Sequence, residues 1–355
     1  MAKVLMKGNE ALAEAAVRAG CRYFFGYPIT PQNEIPEYLS WRLPQVGGTF
    51  VQAESEVAAI NMVYGASAAG ARAMTSSSSP GISLKQEGIS YLCGSELPCV
   101  IVNMQRGGPG LGGIQPGQSD YFQAVKGGGH GDYHLLVLAP ATLQEVVDLM
   151  GKAFDLADQY RNPVMILGDG ILGQMMETVE LPDEDSIGQL QNKPWALTGA
   201  KGRSPKVIHS LFLDPEKLEQ HNLHLKEKYD TMKARETMAE NFLTEDAEIV
   251  LVGYGSAARI AKAAVEQARK LGIKAGLFRP ITLYPFPTRE IRKACSSATR
   301  VLTVEMSLGQ LVEDVRYHLE FKLPVHFYGR VGGMVPSTRE VLTEVMRLAQ
   351  EGGAE

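Results

Sequence analysis

Glu56 opens a run of small and apolar residues, Ser55-Glu56-Val57-Ala58-Ala59-Ile60. A carboxyl group among such neighbours loses solvation, which favours the neutral acid. A glutamate in the first turn of a helix is also favoured in its ionised form by the helix dipole, and Glu54 competes for any acid–base role. Arg106 closes one apolar stretch and opens a glycine-rich one, Gly107-Gly108-Pro109-Gly110-Leu111-Gly112-Gly113-Ile114. A guanidinium there can hold a carboxylate by two parallel hydrogen bonds, or make a structural ion pair. No Gly-Lys-Ser/Thr follows the glycines, so this is not a Walker phosphate loop.

Two further glycine motifs invite chemistry. Gly253-Tyr254-Gly255-Ser256-Ala257-Ala258 has the look of a dinucleotide turn. The next strand ends in Leu277-Phe278-Arg279, without the acid that a ribose requires. Gly168-Asp169-Gly170 looks like half of a diphosphate-and-magnesium motif, but acidic linker follows it and Asn192 comes too early. It reads as a strand end.

These residues need elements to position them. Tyr23-Phe24-Phe25-Gly26-Tyr27-Pro28-Ile29-Thr30-Pro31 reads as a short strand, a turn and a helix start, with Thr30 as N-cap and Pro31 in the first helical position. Such a junction lies where open α/β sheets bind ligands. Asn9 caps a preceding helix that Gly20 closes. Further helices are expected over 31–43, 55–70 and from the Ser79-Pro80-Gly81 turn to about 93. Residues 99–104, Cys-Val-Ile-Val-Asn-Met, form a near-continuous apolar run, as in a parallel strand covered on both faces. Strand 135–138, helix 142–158 and strand 163–167 continue the alternation. A domain over 1–180 follows, then a linker over 181–245 with the acidic cluster Asp183-Glu184-Asp185 and a charged, exposed helix. A smaller α/β domain over 246–355 completes the chain.

The 355 residues suffice for two domains with cores of their own. Net charge is −5 with 21% charged residues, which points away from nucleic acid and anionic membrane surfaces. The longest apolar runs fall far short of the roughly 20 residues of a membrane span, and the first residues lack a signal-peptide apolar region, so a cytoplasmic location is expected. Cys21, Cys93, Cys99 and Cys295 are scattered without a Cys-x-x-Cys pair, so no zinc or iron–sulfur site is expected from this chain alone.

Taken in order, Tyr27-Pro28-Ile29-Thr30-Pro31, Ser55-Glu56, Ser79-Pro80-Gly81 and Arg106 with its Gly-Gly-Pro loop resemble the α-type subunit of thiamine-diphosphate-dependent 2-oxoacid:ferredoxin oxidoreductases. The second half, with Gly253-Tyr254-Gly255-Ser256 and Arg279-Pro280-Ile281, resembles that family's transketolase C-terminal-like domain. The resemblance implies a parallel-sheet pyrimidine-binding domain plus the smaller α/β domain. It places Glu56 on the aminopyrimidine N1′ as a neutral, proton-donating acid, Thr30 and Arg106 on the substrate, and Tyr27, Pro28 and Ile29 at the cofactor. It also implies partners: a β subunit carrying the diphosphate site, Mg2+ and an iron–sulfur cluster, γ and ferredoxin-like subunits, coenzyme A, and ferredoxin as electron acceptor.

Leu111 and Ile114 in the loop, with no added cation before Lys126, suit a branched side chain such as that of 3-methyl-2-oxobutanoate better than the second carboxylate of 2-oxoglutarate. The loop pattern also looks most like the branched-chain oxidoreductases. The rival readings are 2-oxoglutarate oxidation, a non-catalytic assembly subunit, and a nicotinamide-dependent enzyme using the second domain.

Overall fold

The structure, a computed structural model, describes residues 3–183 and 192–351. The first unit runs β1 (Lys3–Lys7), α1 (Gly8–Arg18), β2 (Tyr23–Gly26), α2 (Glu34–Gln45), β3 (Thr49–Gln52), α3 (Glu56–Ala68), β4 (Ala73–Ser77) and α4 (Pro80–Gly94). It continues through β5 (Val100–Gln105), α5 (Tyr121–Val125), β6 (Leu136–Leu138), α6 (Leu143–Tyr160), β7 (Val164–Asp169), α7 (Gly170–Gln174) and β8 (Met176–Glu180). A connecting stretch carries α8 (Pro215–Arg235) and β9 (Ala239–Phe242). Then come β10 (Ile249–Val252), α9 (Gly255–Lys270), β11 (Ala275–Pro280), β12 (Thr282–Tyr284), α10 (Thr288–Ala294), β13 (Arg300–Glu305), α11 (Leu311–His318), β14 (Val325–Gly329) and α12 (Thr338–Glu351).

The larger sheet has the order β12-β6-β7-β5-β4-β2-β3, parallel except for β12. Every residue of β5 is buried, as expected for a parallel strand with helices on both faces. From β2 the chain steps outward to β3 and then back past β2 to β4 and β5. The strand order therefore reverses between β2 and β4, and ligands of open α/β sheets bind outside the carboxyl ends of strands at such a point.

One apolar core lies between the sheet and α3 and α4, including Ile60, Val63, Ile89 and Leu92. A second covers the opposite face under α1, α2 and α6. Helix α6 shows why it packs there: Val146, Val147, Met150, Ala153, Phe154 and Ala157 recur at helical spacing and are buried. Thr142 caps it by accepting from the Glu145 amide at 3.1 Å.

The second sheet runs β14-β13-β10-β11-β9, with β9 antiparallel. Two edge strands cross the boundaries read from sequence. Strand β9 joins the second sheet from within 181–245, and β12 leaves the second unit to pair with β6. Both are three or four residues long, too short for periodicity to register. Helix α8 is charged along its length but buries Leu225, Tyr229 and Met232 against the first unit. Glu184 and Asp185 of the acidic cluster lie outside the described residues. Among the described residues no helix is long and apolar enough to cross a membrane.

The focal junction departs from expectation. Helix α2 begins at Glu34, and Thr30 does not cap it. The Gln32 amide bonds back to the Ile29 carbonyl at 3.1 Å, so residues 29–32 close a separate turn first. Asn9 lies inside the first turn of α1 rather than before it. Its side chain donates to the Pro31 carbonyl at 2.8 Å and to Glu34 at 2.7 Å, pinning that turn to α1.

Candidate functional site

Four neighbouring parallel strands, β5-β4-β2-β3, end on the same edge of the sheet, and each delivers a candidate residue there. Thr30 follows β2, Glu56 follows β3, Arg106 follows β5, and the turn of residues 78–79 follows β4. That turn is the common neighbour. Ser77 Oγ donates to Glu56 Oε1 at 2.5 Å, while Ser79 Oγ accepts from the Arg106 amide at 3.0 Å.

Glu56 begins α3 as expected, with Ser55 as N-cap accepting from the Ala58 amide at 3.1 Å. The side chain is 3% exposed, whereas Glu54 is exposed. Its surroundings differ from the apolar pocket that the local sequence suggests. Val57 faces outward, and the Glu56 carboxylate instead meets the Ser77 hydroxyl and the ammonium of Lys85, which donates to Oε2. Lys85 is fully buried on α4 and also donates to the Ser76 carbonyl at 3.3 Å. Burial pushes the Lys85 ammonium below its ordinary range, and Glu56 opposes that fall. The expectation that residue 56 stands alone among apolar groups is therefore corrected: it is paired with the buried Lys85. The reason is geometric, since Cβ direction along a helix, not sequence neighbours, sets what a side chain touches.

Arg106 is buried and its guanidinium donates to the Thr30 carbonyl at 3.0 Å and the Leu111 carbonyl at 2.9 Å. Among the described residues it makes no ion pair, and its Nε has no partner. Two of its five N–H groups are thus engaged, and the rest are available to an anion. Tyr27 and Pro28 are exposed just beyond β2, and Ile29 and Thr30 are half-buried.

Asp120 is a site residue that the sequence did not single out. It is half-buried at the end of the glycine-rich loop, accepting from Ser79 Oγ at 2.6 Å and Asn103 Nδ2 at 2.9 Å. Burial holds its carboxyl above the usual range, opposed by those two hydrogen bonds. Ser79 has φ +28°, a conformation L-residues rarely adopt, and the Asn103 side chain fixes it by accepting from its amide at 3.0 Å.

A cavity of about 730 Å³ opens over this turn, between the two units. Arg106, Asp120 and Pro80 form one wall, and Met306, Leu308 and Val331 the other. Leu111 and Ile114 do not line it; they are 81% and 59% exposed on the outer side of the loop. The apolar wall comes from the second unit, which no local reading of the loop could reveal.

The other two glycine motifs meet each other. Asp169 accepts from the Ile171 and Leu172 amides at 3.0 and 3.2 Å, which caps α7, and from Ser256 Oγ at 2.8 Å. Gly255, at φ +53°, lies against Asp169 and Gln118. Both motifs thus serve as a latch between the units. No cluster of three or more metal-ligating side chains occurs among the described residues.

Residues 14–242 match the pyruvate flavodoxin/ferredoxin oxidoreductase thiamine-diphosphate-binding family, and residues 247–341 match core domain II of pyruvate:ferredoxin oxidoreductase. The chain is 51% identical over 349 residues to ketoisovalerate oxidoreductase subunit VorB of Methanothermobacter thermautotrophicus, covering 98% of this chain and 99% of that one. It is 36% identical to 2-oxoglutarate synthase subunit KorA of the same organism, covering 97% and 98%. The solved structure of 2-oxoglutarate:ferredoxin oxidoreductase from Magnetococcus marinus superposes with a TM-score of 0.87 at 27% identity. That match covers 97% of this chain, which spans 65% of the other chain's length. By sequence over nearly its whole length and by fold, this chain belongs to the thiamine-diphosphate-dependent 2-oxoacid:ferredoxin oxidoreductase family.

Proposed function

We propose that this chain is the subunit that receives the aminopyrimidine end of thiamine diphosphate and the 2-oxoacid, in a ferredoxin oxidoreductase acting on 3-methyl-2-oxobutanoate. The reaction joins oxidative decarboxylation to acyl transfer, giving CO2 and a branched acyl-coenzyme A while ferredoxin takes the electrons. The observation that carries the reading is the convergence of Glu56, Thr30 and Arg106 around one turn, in a chain half identical to a ketoisovalerate oxidoreductase subunit.

The residues fit the pyrimidine end of the cofactor. Glu56 offers a buried carboxylate whose two described partners leave further acceptor sites free, and the Ser78 hydroxyl and Arg106 Nε are buried without a partner among the described residues. Thiamine diphosphate supplies a carbon nucleophile and an electron sink for decarboxylation. Glu56 would hold the proton at the pyrimidine N1′, Arg106 would bind the substrate carboxylate, and the closed turn of residues 77–81 would exclude water between them. By the family resemblance, a β subunit would hold the diphosphate, Mg2+ and an iron–sulfur cluster, with γ and ferredoxin-like subunits completing the assembly.

The cavity favours the branched substrate. Its lining offers one cation, Arg106, for the carboxylate that every 2-oxoacid carries. A second carboxylate, as in 2-oxoglutarate, would face Asp120 and the apolar side chains of Met306, Leu308 and Val331. The test is reconstitution with the partner subunits and comparison of kcat/KM for the two acids. A preference for 2-oxoglutarate overturns the substrate, and full decarboxylation by Glu56→Gln overturns the catalytic reading in favour of an assembly role.

A further inference from the structure

We propose that Lys85 is the internal counter-ion of Glu56, holding it as a carboxylate, so that residue 56 accepts a hydrogen bond from a ring-protonated aminopyrimidine instead of donating one. The inference rests on the placement of Glu56 at the pyrimidine and deepens it by adding a positioning residue. Three features on the page support it.

Lys85 is fully buried, and among the described residues its ammonium reaches only the Glu56 carboxylate and one backbone carbonyl, that of Ser76. A lysine is tolerated in such a place when a paired charge compensates it. The carboxylate in turn takes the Ser77 hydroxyl on its other oxygen, and a donor on each oxygen favours the charged form. Finally, the site is built for this contact. A side chain at Gly81 would overlap both Ser77 Oγ and Glu56 Oε1, and one at Gly88 would overlap Ile60. The two glycines let α4 approach α3 closely enough for Lys85 to reach across. Among the described residues, Glu56 is the one charged group that acts on Lys85; β4 contributes the Ser77 hydroxyl and the Ser76 carbonyl, and α3 contributes Ile60.

The consequence concerns where one proton sits. With Lys85 charged and Glu56 charged, the proton shared between residue 56 and N1′ belongs to the ring, and the site loses it at a lower pH than it would without the lysine.

The test uses the assembled, cofactor-loaded complex and the variant Lys85→Met, which keeps the length of the side chain without its charge. Circular dichroism of the cofactor, followed against pH, reports the protonation state of the aminopyrimidine. Removing the positive charge is expected to move the midpoint of proton loss up by about one pH unit or more. An unchanged or lowered midpoint overturns the proposal. If the variant does not assemble, infrared difference spectra between wild type and Glu56→Gln near neutral pH decide the matter. No protonated-carboxyl band from residue 56 is expected, and its presence overturns the proposal. The Glu56→Gln arm also separates the two readings. If that variant leaves the cofactor's dichroic pH profile unaltered, the placement of Glu56 at the pyrimidine has failed. If it alters the profile while Lys85→Met does not, only the counter-ion role has failed.

Discussion

Ser77 Oγ lies 2.5 Å from Glu56 Oε1, and a methyl group at Gly81 would overlap both oxygens. The glycine of the Ser79-Pro80-Gly81 turn therefore keeps space for the carboxylate rather than for a special backbone angle. Gly81→Ala is expected to displace Glu56 while leaving the sheet and both cores intact. A misplacement of about 1 Å at a reacting group can cost on the order of 10²-fold in rate. Steady-state assays of the reconstituted enzyme should show a loss of that order, alongside a fall in stability of about 1–3 kcal/mol from the overpacked site. An unaltered kcat/KM would mean that the carboxylate position does not matter to the chemistry.

Among the described residues Arg106 is held by two backbone carbonyls and by no ion pair, so its charge is available for a bound anion. Hydrogen bonds to charged groups contribute about 1.5–3 kcal/mol. Arg106→Leu should raise the KM for the 2-oxoacid by roughly tenfold or more. Equal KM values for variant and wild type would remove Arg106 from the substrate site.

The sequence made the central strands of the large sheet legible because they are short, mostly apolar runs bounded by turn residues, whereas its edge strand β12 is too short to show. Residues 99–104 read correctly as a strand buried on both faces, observed as β5. It also placed Glu56 and Arg106 at element boundaries, where local signals are strongest. What it could not reveal were contacts made across elements. Lys85 sits in an ordinary helical stretch, Leu84-Lys85-Gln86-Glu87, and nothing local tells that Lys85 is buried while Leu84 is 58% exposed. That reversal arises because Lys85 lies with Gly81 and Gly88 on the face of α4 that packs against α3. Likewise, Asp120 is one residue in a long glycine-rich loop until the fold brings Ser79 and Asn103 to it.

Asp169 joins the two units by accepting from Ser256 and from two amides of α7. Burial pushes its carboxyl up, and these hydrogen bonds offset the rise. Asp169→Ala leaves the Ser256 hydroxyl and both amides without that acceptor. Each lost buried partner costs about 1–3 kcal/mol, so a destabilisation of several kcal/mol is expected in chemical denaturation, with Asp169→Asn intermediate. A midpoint matching wild type in the alanine variant would show that the latch does not hold the units together.

His134 gives the fold a defined response to acid. Its ring stacks on Tyr284 with centroids 4.2 Å apart and meets Tyr229 edge-on at 5.3 Å. Burial lowers its pKa to about 4, Lys233 and Lys126 add to the fall, and Asp132 opposes it. His318, stacked on Phe286, is lowered to about 4 chiefly by its own burial. In the unfolded chain both titrate near 6.5. Between those values the unfolded chain binds protons that the folded chain refuses, so folding stability falls as pH drops from about 6.5 to about 4 and levels off below. His134→Phe preserves the aromatic stack without the proton. Its urea midpoint should therefore decline less steeply than that of wild type across this window, while His318 keeps part of the slope. Identical slopes in the two proteins would mean that residue 134 is not held neutral by its burial.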